Sequence, residues 1–292
     1  MPVIRLSNNS HWENLNQLIS ILKTLHQLRD GDRVDIDSNG FATPFHVVPS
    51  ACVINRKKLT FGISDDKSDM SQYLKIIQFP DCISAKDAKP GVSGNYLPIA
   101  RITGEESVGA QREKSYKNIE DQYRELILNC FGNLKDKLSN AIAFFLSELI
   151  ENAKDHSDAE NFYIFAQYWP ALKEFELCLM DDGIGLQGSL SKVHPQITTD
   201  ERAVREIIQR QLSARISDFE SLPGTGLANT IRIVSNKELQ STFTLLSGNF
   251  GYSCSNDYCK WVDLGTLAIK GTLINIRIKE PQERVNIFNY IQ

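Results

Sequence analysis

No stretch of the sequence approaches roughly 18 uninterrupted apolar residues, the length a helix needs to cross a bilayer core, so no transmembrane helix is expected. The opening residues, MPVIRLSNNSHWEN, lack the apolar run of a secretory signal, and the expected location is cytoplasmic. An excess of positive charge is also missing. The 32 basic and 36 acidic residues leave a net charge of −4, against the basic footprint of a general nucleic-acid or membrane-surface binder. There is no internal repeat or low-complexity tract. The six cysteines (Cys52, Cys82, Cys130, Cys178, Cys254, Cys259) are scattered through a chain long enough to bury a core, so free thiols are expected. Cys254 and Cys259 have no second ligand pair at zinc-site spacing, which argues against a metal there.

What is present fits an ordinary globular chain, with 41% apolar and 23% charged residues. A length of 292 residues predicts two domains, with one large domain as the alternative. Residues 1–95 alternate helix and strand signals and read as a small α/β domain. Within it, Leu15, Leu18, Ile19, Leu22 and Leu25 form a helical stripe, and VDID and KLTFGIS are strand candidates. Residues 96–118 lie in a stretch rich in Gly, Pro, Ser and charge and read as a linker. Residues 119–292 form the second domain. Helices are predicted at 119–132, 134–156, 200–216 and just after 226, and strands at 161–168, 174–180, 240–247, 259–263 and 272–278. Residues 1–118 hold 15 basic and 13 acidic residues and the remainder 17 and 23, too small an asymmetry to name a partner.

Three segments carry residue types suited to chemistry. In SNAIAFFLSELIENAKDHS, Ile142, Phe145, Leu146 and Leu149 make a core-facing stripe, while Glu148, Asn152 and Asp155 share another face at i, i+4 and i+7. An amide oxygen suits Mg2+, which keeps much of its water shell, and a carboxylate one turn earlier can act on a nucleophile. A solvated polar face would use the same residue types. In ELCLMDDGIGL, an apolar strand runs into Asp181-Asp182-Gly183-Ile184-Gly185. The glycines allow a tight turn and close approach to a ligand, and a carboxylate there can accept from an exocyclic amine; a plain Asp-Gly turn reads the same way. In LPGTGLANTIRIV, Gly224-Thr225-Gly226 leads into an apolar helix, whose free amides suit phosphate and equally suit a simple cap. There is no G-x-x-x-x-G-K-[ST] P-loop.

Together with Gly271-Thr272 before the last strand, these segments resemble the N, G1, G2 and terminal Gly-Thr boxes of the GHKL, or Bergerat-fold, ATPases, in family order over about residues 119–280. The resemblance implies a two-layer α/β sandwich, a mixed sheet with helices on one face, that binds ATP and Mg2+. It implies that Asn152 coordinates Mg2+, that Glu148 is the general base, and that Asp155 sits where gyrase-like members carry an aspartate. Asp181 would read the adenine amine, with Gly183 and Gly185 shaping the pocket and Thr272 supporting the adenine contacts. Gly224, Thr225, Gly226 and Leu227 would hold phosphates behind a lid formed by residues 186–223. Ala228 and Asn229 depart from the histidine-kinase loop, and His26 has no matching phosphoacceptor box.

Ser147, Glu148, Asn152, Ala153 and His156 also match the N-box of anti-sigma-factor serine kinases, which act on STAS-domain partners. VDIDSNGFATPFHVVPSACVI resembles the strand–turn–helix core of a STAS domain, with Ser38 and Thr43 as nearby hydroxyls. The expected function is therefore ATP hydrolysis, or γ-phosphate transfer to a protein hydroxyl, in a signalling or regulatory role. The alternative is a nucleotide-gated interaction module with little turnover. The resemblance implies a STAS-like or other regulatory protein partner and a homodimer; neither nucleic acid nor membrane is an expected partner.

Overall fold

Continuous apolar runs, rather than alternating ones, mark the strands at the centre of the molecule. NFYIFAQYW and EFELCLMD are buried at nearly every position. A strand buried along its whole length is covered on both faces of its sheet. The computed structural model describes residues 2–6, 10–91, 94–103, 109–130, 146–152, 154, 158–210, 240–255 and 258–279. The described residues form an α/β structure with two sheets.

The N-terminal part is built from β1 (Val3–Ile4), α1 (His11–Gln27), β2 (Arg33–Ile36), α2 (Pro44–Arg56), β3 (Thr60–Ile63) and α3 (Asp69–Ile76). Its three strands form a parallel sheet in the order β1-β2-β3. α1 opens with a capping box between Ser10 and Glu13. α2 opens with Pro44, whose missing N–H costs nothing in the first turn.

The large sheet contains β4 (Ile83–Ser84), β5 (Ala100–Thr103), β6 (Asn161–Trp169), β7 (Glu174–Asp181), β8 (Ser241–Gly248), β9 (Phe250–Ser255), β10 (Cys259–Asp263) and β11 (Ile269–Lys279). Their order is β10-β9-β8-β11-β7-β6-β5-β4, antiparallel except for the β4–β5 pair. The strands expected at 161–168, 174–180, 240–247 and 272–278 are therefore contiguous neighbours in one sheet. β5, within 96–118, pairs with β6, and α4 (Gly109–Cys130) begins ten residues before the helix read at 119.

The sheet's two faces belong to two cores. Phe162, Ile164, Leu177, Leu179, Phe243, Leu245, Ile274 and Ile276 face α4 and the helical residues 146–152 (α5). α4 offers Tyr116, Ile119, Tyr123, Leu126 and Ile127, one stripe at helical spacing. Ser147 donates to Glu120 at 2.7 Å and Lys154 pairs with Glu113 at 2.7 Å, so α4 and α5 run antiparallel. The alternate positions Tyr163, Phe165, Cys178, Met180, Leu246 and Leu273 share a core with α1 and α2. The resemblance implies helices on one face alone; here the second face is covered too, by elements of residues 1–95. The reason is the apolar character of both strand faces, which must leave water.

The scatter of the cysteines along the chain predicts free thiols, and for two of the six the structure overturns this. Cys254 and Cys259 stand opposite each other on β9 and β10 and form a disulfide. Cys52, Cys82, Cys130 and Cys178 are free. Among the described residues, no helix is long and apolar enough to cross a membrane.

Candidate functional site

Strand alternation decides where the polar ends of β7 and β11 point. Leu177 and Leu179 face the α4–α5 core, so Asp181 faces the same way; Ile274 does likewise, and so does Thr272. β11 pairs with β7 through Leu273 and Met180, which sets Thr272 beside Asp181.

Asp181 is only 5% exposed. Its Oδ1 accepts from the Gly183 N–H at 2.9 Å. Burial pushes its carboxyl up to about 7, with the adjacent Asp182 charge acting in the same direction, while backbone hydrogen bonds from Gly183 and Thr272 oppose the shift. Asp182 plays a separate, structural part. It accepts from the Asn161 backbone N–H at 2.8 Å and side-chain amide at 2.7 Å, holding the start of β6.

Two glycines let the backbones meet here. Gly271 has φ +86°, and a Cβ on it would overlap the Asp181 carbonyl oxygen. Gly185 has φ +69°, and a Cβ on it would stand 2.8 Å from Ser247 Oγ. Gly185 also opens α6 (Gly185–Ser191). Ser247 Oγ donates to the Gly271 carbonyl at 3.0 Å and accepts from the Leu186 N–H at 2.9 Å, tying the turn after β7 to β8 and β11.

The structure thus brings Asp181, Gly183, Gly185 and Thr272 together at one end of the sheet. Glu148 and Asn152 lie on α5, both half-buried, and α5 packs Leu146, Leu149 and Ile150 on the sheet face that Asp181 and Thr272 share. Asp155, Gly224, Thr225, Gly226 and Leu227 lie outside the described residues. So do the ends of the helices read at 119–132, 134–156 and 200–216.

Residues 186–223, expected as a lid, include α7 (Asp200–Arg210). Asp200 Oδ2 accepts from the Asn249 N–H at 2.9 Å, and the Arg205 guanidinium lies 4.3 Å from the Trp261 ring centroid. These contacts anchor α7 on the β8–β10 end of the sheet.

Sequence reasoning missed Ser247 and the structural part of Gly271. A serine in the apolar strand STFTLLSG was the available signal for Ser247. It also gave no role to Glu176, Thr43 and His46. Thr43 Oγ1 donates to Glu176 Oε1 at 3.3 Å and lies 3.2 Å from His46 Nδ1, all buried. Ser38, the other hydroxyl singled out, is half-buried and bonded to Ser64 Oγ at 3.0 Å.

No protein-family model, curated protein or solved structure matches the chain.

Proposed function

We propose that the chain binds Mg2+-ATP in the manner of the GHKL ATPases and acts as an ATPase or a protein-hydroxyl kinase in regulation. The observation that carries this reading is the buried Asp181 carboxylate at the end of β7, flanked by Gly183, Gly185 and Thr272. A buried acceptor beside close-approaching glycine backbone suits the amine edge of a flat base. The raised carboxyl fits the same role, because a donor brought by a ligand would restore what burial removed.

In this reading Asp181 accepts from the adenine amine and Thr272 supports the ring. Asn152 holds Mg2+, and Glu148 takes the proton of the attacking water or hydroxyl. Gly224, Thr225, Gly226 and Leu227 are assigned the phosphates, and Asp155 the N-box position next to Asn152. Mg2+, when bound, supplies charge neutralisation between the phosphates. The protein partner of this reading is a STAS-like or regulatory protein.

A second reading, a nucleotide-gated switch with little turnover, is favoured by one feature. α2 packs against β7, the strand that ends in Asp181, so an event at Asp181 has a direct path to the N-terminal elements. Incubation with γ-labelled ATP, with and without cell lysate, separates the two. Released phosphate or labelled protein, lost in Glu148→Ala, supports the enzyme. Saturable ATP binding with no turnover supports the switch, and no ATP binding overturns both.

A further inference from the structure

The hairpin formed by β9 and β10 ends the large sheet, and its cysteine pair differs from the four free cysteines in position and access. Cys254 is buried and Cys259 is exposed. The residues around them hold the first turn of α1. Ser253 Oγ is 2.8 Å from His11 Nε2. Tyr258 stacks on Trp12 with ring centroids 4.6 Å apart, and Lys260 Nζ stands 4.2 Å from the Trp12 centroid. The bond spans a sequence separation of only 5, so it removes less loop entropy from the unfolded chain than a cross-link over a long loop would. A cross-link that closes only a short loop, sits on a sheet edge and offers one sulfur to solvent is suited to exchange rather than to scaffolding.

We infer that Cys254–Cys259 is a thiol–disulfide exchange site whose state is transmitted to the start of α1 through Tyr258 and Trp12. The co-reactant is a dithiol reductant. Its thiolate attacks the exposed Cys259 sulfur, the Cys254–Cys259 bond breaks, and Cys254 leaves as a thiolate that takes up a proton. The second thiol of the reductant then attacks the mixed disulfide and releases Cys259. Two electrons and two protons pass to the protein, and the reductant is left as a disulfide. In the reduced state β9 and β10 are no longer cross-linked at Cys254 and Cys259, and the Tyr258–Trp12 stack loosens.

The test uses the full chain without denaturant. The protein is equilibrated in buffers of graded dithiothreitol ratio, quenched with an alkylating reagent and mapped by mass spectrometry. Cys254 and Cys259 should convert together as one two-electron couple, with no disulfide forming among Cys52, Cys82, Cys130 and Cys178. A pair that stays oxidised in excess dithiothreitol while the chain is folded, or that is fully alkylated after equilibration with oxidised dithiothreitol, overturns the exchange site. Tryptophan fluorescence reads the transmission. Reduction should change the wild-type emission and leave Trp12→Phe unchanged, and Cys259→Ser should show the reduced-state emission in either buffer. Identical reduction-induced changes in wild type and Trp12→Phe overturn the link to α1.

Discussion

Glu176 Oε1, from the middle of β7, accepts the backbone N–H of Phe45 at 3.1 Å and so caps the first turn of α2. The two residues are 131 apart in sequence. The carboxylate meets the positive end of the helix, and Thr43 Oγ1 adds a second donor. The Asn275 amide, oriented to satisfy both neighbours, donates to Glu176 Oε1 and to the Leu177 carbonyl at 3.2 Å each. This is the polar centre of an otherwise apolar contact between α2 and the large sheet.

Glu176→Ala should destabilise the fold by about 1–3 kcal/mol, because it strips the acceptor from a buried N–H and leaves the Asn275 amide short of a partner. Glu176→Gln keeps one amide oxygen at the cap and should cost less. Urea unfolding of the three proteins checks the order; equal midpoints would remove Glu176 as a cap.

Burial raises both the Glu176 and Asp181 carboxyls, the latter to about 7. The folded chain then keeps protons that the unfolded chain has already released. Stability therefore falls as pH rises from the ordinary carboxylate range, and for Asp181 the loss is complete once pH passes about 7. Asp181→Asn should flatten that part of the curve between pH 5 and 8, read as urea midpoints against pH.

The same group links pH to nucleotide. An ionised Asp181 is the better acceptor, so ATP affinity of the wild type should rise through about pH 7 relative to Asp181→Asn, which serves as the control for ionisation of ATP itself. At pH 8 the variant should bind about tenfold to a hundredfold more weakly. Calorimetry showing equal affinity would make Asp181 a turn residue only.

Glu148 and Asn152 lie one turn apart on α5 and are assigned different jobs. Asn152→Ala should weaken Mg2+-ATP binding and turnover together. Glu148→Ala should leave binding within a few-fold, on the order of threefold, while turnover falls by about 10²–10⁴. Equal turnover at matched ATP occupancy would remove Glu148 as the base.

Gly271→Ala tests the close approach of β11 to the end of β7. A methyl group there meets the Asp181 carbonyl, and the backbone is at φ +86°. The variant should lose roughly 1–3 kcal/mol of stability, together with any ATP affinity that depends on Asp181. Gly265 also has a positive φ, +62°, but nothing lies near a Cβ built on it. Gly265→Ala should therefore show the backbone cost without the effect on ATP, and equal ATP affinity in the two variants would separate Gly271 from the site.

Much of this was legible from local pattern. The apolar alternation and runs located β6, β7, β8, β10 and β11, and the Asp-Gly turn after β7 identified the end of the strand where Asp181 sits. Glu148 and Asn152 were placed on one helix by spacing alone. α2 was harder, because PFHVVPSACVI is buried along nearly its whole length and shows no amphipathic stripe to read. β9 was missed because FGYSCS follows β8 after a single residue, Asn249, and reads as its continuation.

The long central strands, the helix periods and the polar residues that interrupt them follow from local pattern, since these depend on neighbours within a few positions. Tertiary structure alone decided which distant groups meet: Glu176 with the start of α2, Ser247 with Gly271, and Trp12 with Tyr258. It also decided that the large sheet is covered on both faces. Each of these depends on strand order and on which side chains leave water together, and neither is encoded in any short window of the chain.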